Sequence, residues 1–158
     1  MLRKACPRPV RFVMDYRIFN VPVLNFVFRT GRAIPIASAK DDPVMLGRAN
    51  DEIARGLEAG DIICIFPEGR ITDTGEMYPF RSGVKRIIER TPVPVVPLAL
   101  RGLWGSFFSR VGGRAMTRPF RRGVLSKIAL VADKPVPPLS VTPEGLQQTV
   151  LALRGDWK

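Results

Sequence analysis

The sequence predicts a single α/β domain, a mostly parallel mixed sheet flanked by helices, and three observations predict it. Strand-like and helix-like segments alternate along the chain, as they do in layered α/β architectures. The run Ile62-Ile63-Cys64-Ile65-Phe66 lies between Gly60-Asp61 and Pro67, and its β-branching and flanking breakers mark a strand buried on both faces, the habit of parallel sheets. The chain has 158 residues, 46% of them hydrophobic, which suffices for one domain with one core.

Val10 to Met14 reads as the first strand. Tyr16 to Thr30 is amphipathic and mostly helical, with Phe19, Val23, Leu24, Val27 and Phe28 apolar and a break near Val21-Pro22. Ala33 to Ile36 is a short strand. Asp42 as N-cap and Pro43 at the first helical position start a helix that runs to Ala59, with Leu46, Ala49, Ile53 and Leu57 on one face and Gly60 ending it. After the strand at 62–66, Ser82 to Arg90 reads as a helix, Val95 to Arg101 as a strand and Lys127 to Ala132 as another. The Pro-rich link Pro135 to Pro138 gives way to a last helix, capped by Thr142 with Pro143 at its first position and ending near Arg154.

The formal charge is +11, which favours anionic partners: phospholipid head groups, nucleic acid or phosphorylated carriers. The two cysteines, Cys6 and Cys64, are far apart and lack metal-ligand spacing. They point to a reducing compartment, no disulfide and no metal site, with Cys64 packed in the core. No apolar run approaches the ~20 residues that span a bilayer, so contact with a membrane is expected from its surface, on the cytoplasmic side. Between Glu89 and Asp133 there is no acidic residue, while Arg101, Arg110, Arg114, Arg118, Arg121, Arg122 and Lys127 accumulate around Trp104, Phe107, Phe108 and Phe120. Aromatic rings beside cations suit an anionic membrane interface, and Arg101, Trp104, Phe107, Phe108 and Arg110 are its candidate residues. The same composition suits a single-stranded nucleic acid, which ranks lower because no nucleic-acid motif is present. Solvated arginines around a core Trp104 and Phe107 is the plainest alternative.

The strand at 62–66 runs into Phe66-Pro67-Glu68-Gly69-Arg70, which places Glu68 at the carboxyl edge of a parallel strand. That is where open α/β sheets bind ligands, and Gly69 admits a close backbone approach. Val93-Pro94-Val95-Val96-Pro97 follows after a helix, and Phe80-Arg81-Ser82-Gly83 lies between. Together with Pro9 to Val13 and Gly31 to Ala37, these blocks resemble the glycerophospholipid acyltransferases over roughly residues 7 to 137.

The resemblance implies transfer of an acyl group to the hydroxyl of a lysophospholipid or glycerol phosphate. The donor would be acyl-CoA or acyl-carrier protein, with no metal or other cofactor. It implies that Glu68 orders the acceptor hydroxyls or holds a cation in place, that Gly69 gives room, and that Arg70, with Lys40 or Arg81, meets phosphate. The family's Asn-His-x4-Asp block, whose histidine is the general base, is expected upstream of residue 7, and this chain contains no histidine. Residues 1–158 therefore read as one acyltransferase-like domain truncated at its N-terminus, without a catalytic residue of its own and inactive alone. A non-catalytic lipid-binding relative is the second reading. Ala37 stands where the family's earlier block ends in arginine, and Arg70-Ile71-Thr72 replaces its Thr-Arg-Ser, a change that matters because an arginine fork and a lysine point charge grip phosphate differently.

Overall fold

The computed structural model describes residues 8, 10–19, 28–104 and 127–156. The chain groups into two compact units, Met1–Pro67 with Gly83–Val93, and Glu68–Ser82 with Pro94–Lys158.

The first unit is built on a three-stranded parallel sheet. Strand β1 (Val10–Asp15) lies between β2 (Ile34–Ile36) and β3 (Ile62–Cys64). Its first half pairs with β3, Val10 opposite Ile62, and its second half with β2, Val13 opposite Ile34. Helix α1 (Tyr16–Phe19) follows β1 directly, α2 (Pro43–Glu58) joins β2 to β3, and α3 (Gly83–Arg90) packs against α2. The core is Val13, Ile34, Ala49 and Ile53, with Ile36, Leu57, Ile63, Ile65 and Ile87 packed around it. Helix α2 starts as its sequence requires: the Asp42 carboxylate accepts from the Met45 amide at 2.8 Å and Pro43 needs no partner for a missing N–H.

Arg11 is buried in this unit. Its Nε donates to the Arg32 carbonyl at 2.9 Å and its Nη1 lies 3.4 Å from Asp61, while Nη2 pairs with Glu52. A Cβ on Gly56 would come within 3.2 Å of Arg11 Nη1, so the glycine leaves the guanidinium its place beside α2. A buried guanidinium is tolerable only with such a full set of acceptors.

The second unit holds an antiparallel ribbon of β4 (Leu98–Arg101) and β5 (Ala129–Ala132), a 3-10 turn (Pro138–Ser140) and helix α4 (Pro143–Arg154). Helix α4 packs on both strands, burying its Pro143 and Leu146, and Ala99 of β4 and Val141 before the helix are buried in the same unit. Thr142 caps α4 by accepting from the Gly145 amide at 3.1 Å.

Four expectations change in detail. The strand at 62–66 ends at Cys64 and is half-buried, and Phe66 is 54% exposed. Among the described residues β3 pairs with β1 alone and so stands at the edge of the sheet, with α2 packed on it. The strand from Val95 begins at Leu98, because Pro94 and Pro97 carry no N–H for a ladder. Val95 still exchanges two hydrogen bonds with Val136, at 3.0 and 2.7 Å. The strand from Lys127 begins at Ala129, and β4 and β5 form a sheet of their own. Of the helix expected over 16–30, 16–19 and 28–30 are helical, and residues 20–27 lie outside the described residues.

Candidate functional site

Glu68 and its surroundings lie within the second unit, on a 15-residue segment, Glu68–Ser82, that contains no helix or strand. Glu68 is half-buried, and its Oε2 accepts from the Tyr78 amide at 2.7 Å. Burial pushes its carboxyl above the usual range, while the Tyr78 amide and the positive charge of Arg154 pull it back. Gly69 has φ +67, and a Cβ there would meet Arg81 Nε at 2.9 Å. The left-handed backbone is the reason for glycine here, since the exposed Arg81 side chain that lies over it could move aside.

Tyr78 organises this segment. Its amide holds Glu68, its hydroxyl donates to Asp73, and the Arg70 guanidinium stacks on its ring 3.4 Å from the centroid. Thr72 Oγ1 accepts from the Gly75 amide at 3.1 Å, closing the turn between. Sequence reasoning passed over Tyr78, because one tyrosine among turn residues carries no pattern.

The expected site residues are thus partly gathered. Glu68, Gly69, Arg70 and Arg81 belong to the second unit, with both arginines exposed. Lys40 is an exposed turn residue of the first unit. Among the expected surface residues, Arg101 is half-buried and its Nε donates to the Leu153 carbonyl at 2.6 Å, so it serves the C-terminal end of α4. Trp104 is half-buried with its indole over Gly75, whose Cβ would stand 2.7 Å from Cε2. Phe107, Phe108 and Arg110, like Cys6, lie outside the described residues. Cys64 is only partly covered, yet burial pushes its thiol up to about 11. That keeps it protonated near neutral pH, as a packing residue should be.

A cleft of about 410 Å³ lies elsewhere, in the first unit, where Arg11, Arg32, Glu52, Arg55 and Asp61 line it. Arg11 is already paired there with both carboxylates, so the cleft's polar groups hold the fold together and the Glu68 segment remains the candidate site. Among the described residues no His, Cys, Asp and Glu side chains group to hold a metal ion, and no helix is long and apolar enough to cross a membrane.

The acyltransferase family model matches residues 1–101, a stretch that includes the parallel sheet of the first unit and the glutamate segment. The chain belongs to the acyltransferase family. It is 28% identical over 92 residues to a chloroplastic 1-acyl-sn-glycerol-3-phosphate acyltransferase of Brassica napus, covering 58% of this chain and 26% of that protein. A 1-acyl-sn-glycerol-3-phosphate acyltransferase of Cocos nucifera is 38% identical over 52 residues, 32% of this chain and 17% of its own length. An N-acylphosphatidylethanolamine synthase of Arabidopsis thaliana is 31% identical over 87 residues, 53% of this chain and 30% of its own. These relatives place the family among the glycerophospholipid acyltransferases that the sequence blocks resemble. The chain spans less than a third of the length of each. No solved structure matches it.

Proposed function

We propose that residues 1–158 are the acceptor-binding part of a glycerophospholipid O-acyltransferase domain, and that the Glu68 segment receives a lysophospholipid or glycerol phosphate. The observation that carries this reading is the half-buried Glu68 carboxylate, held at one oxygen by the Tyr78 amide, on a segment that also carries two exposed arginines, Arg70 and Arg81. A carboxylate accepts hydrogen bonds from the acceptor's hydroxyl groups, and guanidinium forks pair bidentately with its phosphate. Arg70, steadied on the Tyr78 ring, and Arg81, lying over Gly69, are the phosphate ligands.

In the complete reaction the acceptor hydroxyl oxygen attacks the thioester carbonyl carbon of acyl-CoA or acyl-carrier protein. The C–S bond breaks, and the hydroxyl proton passes through a general base to the leaving sulfur. With no histidine in the sequence, this chain does not supply that base. Lacking it costs ~10²- to 10⁴-fold, so residues 1–158 are expected to bind acceptor and turn over little or none of it. The basic, aromatic stretch between Glu89 and Asp133 would hold the domain on the anionic cytoplasmic face of a membrane.

The test is calorimetric titration with a short-chain 1-acyl-glycerol 3-phosphate. Glu68→Gln and Arg81→Gln are each expected to weaken binding about tenfold, the size of a hydrogen bond to a charged group. Parent-like affinity in both variants, with circular dichroism unchanged, would remove this segment from the acceptor site.

A further inference from the structure

Outside the family-model match, helix α4 reaches the Glu68 segment at three points. Gln147 Oε1 accepts from the Phe80 amide at 3.1 Å. Arg154 Nη1 donates to the Gly75 carbonyl at 3.2 Å, and its Nη2 lies 3.4 Å from Glu76 Oε2. Gln147 and Arg154 are seven residues apart on one helix, about two turns, and so project from the same face. The helix itself is anchored, since it packs on β4 and β5 and Arg101 Nε holds its Leu153 carbonyl at 2.6 Å.

A segment as long as Glu68–Ser82 without regular structure needs outside partners to hold one conformation. From these contacts we infer that helix α4 is a built-in support of the acceptor site, with Arg154 and Gln147 as positioning residues that fix the Glu68 segment at its middle, Gly75-Glu76, and near its C-terminal end, at Phe80. This deepens the acceptor reading above and rests on it. Arg154 has a second effect, because its charge favours the ionised form of the half-buried Glu68. Its side chain is 15% exposed, so its charge acts with little screening from solvent. The carboxylate accepts hydrogen bonds from the acceptor's hydroxyl groups more strongly than the acid does. Neutralising Arg154 therefore raises the pH below which binding weakens.

The experiment uses the whole chain and three variants, Gln147→Leu, Arg154→Gln and Arg154→Lys, with two readouts. Amide hydrogen exchange needs no ligand: Gln147→Leu should speed exchange of the Phe80 amide at least about tenfold, and Arg154→Gln that of Tyr78. Titration with a short-chain 1-acyl-glycerol 3-phosphate across pH is the second. Arg154→Gln should weaken binding and move its acidic limb upward, Arg154→Lys should restore the limb, and Gln147→Leu should weaken binding without moving it. Parent-like exchange at both amides overturns the inference, as does a limb that stays put in Arg154→Gln. Should Arg154→Gln fail to fold, Gln147→Leu with its Phe80 readout decides. Altered exchange in a protein whose parent form does not bind the lysophosphatidate supports the positioning role and overturns the acceptor reading alone.

Discussion

Tyr78 and Cys64 are single residues whose roles come from their surroundings. Tyr78 gives its amide to Glu68, its hydroxyl to Asp73 and its ring to Arg70, three tasks that no sequence pattern announces. Cys64, in contrast, is a packing residue in the sequence reading; it is only partly covered and stands outside the buried core, yet its surroundings raise its thiol. The thiolate is the reactive form, and its fraction falls about tenfold for each pH unit below a pKa of about 11. In a Cys6→Ser background, Cys64 should react with iodoacetamide on the order of 10²-fold more slowly than a free cysteine at about pH 8. The rate should climb steadily until the pH passes about 11. Mass spectrometry of timed samples measures it, and a rate equal to that of free cysteine would refute the burial.

At the scale of elements, the helix ends are where local chemistry speaks most plainly. Asp42-Pro43 and Thr142-Pro143 start α2 and α4 as their sequence predicts, because an N-cap and its target lie three residues apart. The helical turn at 28–30 ends less comfortably. The Ala33 amide returns to the Phe28 carbonyl at 2.9 Å and the Arg32 amide to Arg29 at 3.0 Å, a closure that puts Arg32 at φ 53. Glycine is the residue for that position, yet Gly31 stands one place early. Arg32→Gly keeps the carbonyl that Arg11 uses and relieves a strain of about 1 kcal/mol. Urea unfolding should show a gain of about 0.5–1 kcal/mol, and a loss would mean that the arginine side chain supports the fold. The strands were less legible. The start of β4 depends on Pro97 lacking a donor, and β3 is half-buried at the edge of its sheet, a place that its sequence does not announce.

For the whole molecule, charge is the property that reaches furthest. A chain with a net charge of +11 should bind vesicles containing phosphatidylglycerol, and the binding should depend on salt. Co-sedimentation is expected to fall at least about tenfold between low and high salt, and to vanish on vesicles of neutral phosphatidylcholine. Equal binding to both vesicle types would take the membrane role away from the basic stretch. The anionic partner is a whole-chain question because charges sum over distance, whereas the Glu68 segment acts through contacts of a few ångströms.

Composition, periodicity and capping determined the α/β class, the order of most elements and the ends of two helices, since these preferences act between residues a few positions apart. The Phe-Pro-Glu-Gly and Val-Pro-Val-x-Pro blocks pointed to the family for the same reason: each is a local arrangement. Tertiary structure decided the rest. Arg11 meets Glu52 and Asp61 across 41 and 50 positions, Phe80 meets Gln147 across 67, and Arg154 meets Gly75 across 79. Which charges are buried, which amide holds Glu68 and which helix steadies its turn depend on distant segments packing together. Burial and pairing are properties of that packing, and no single stretch of the chain carries them.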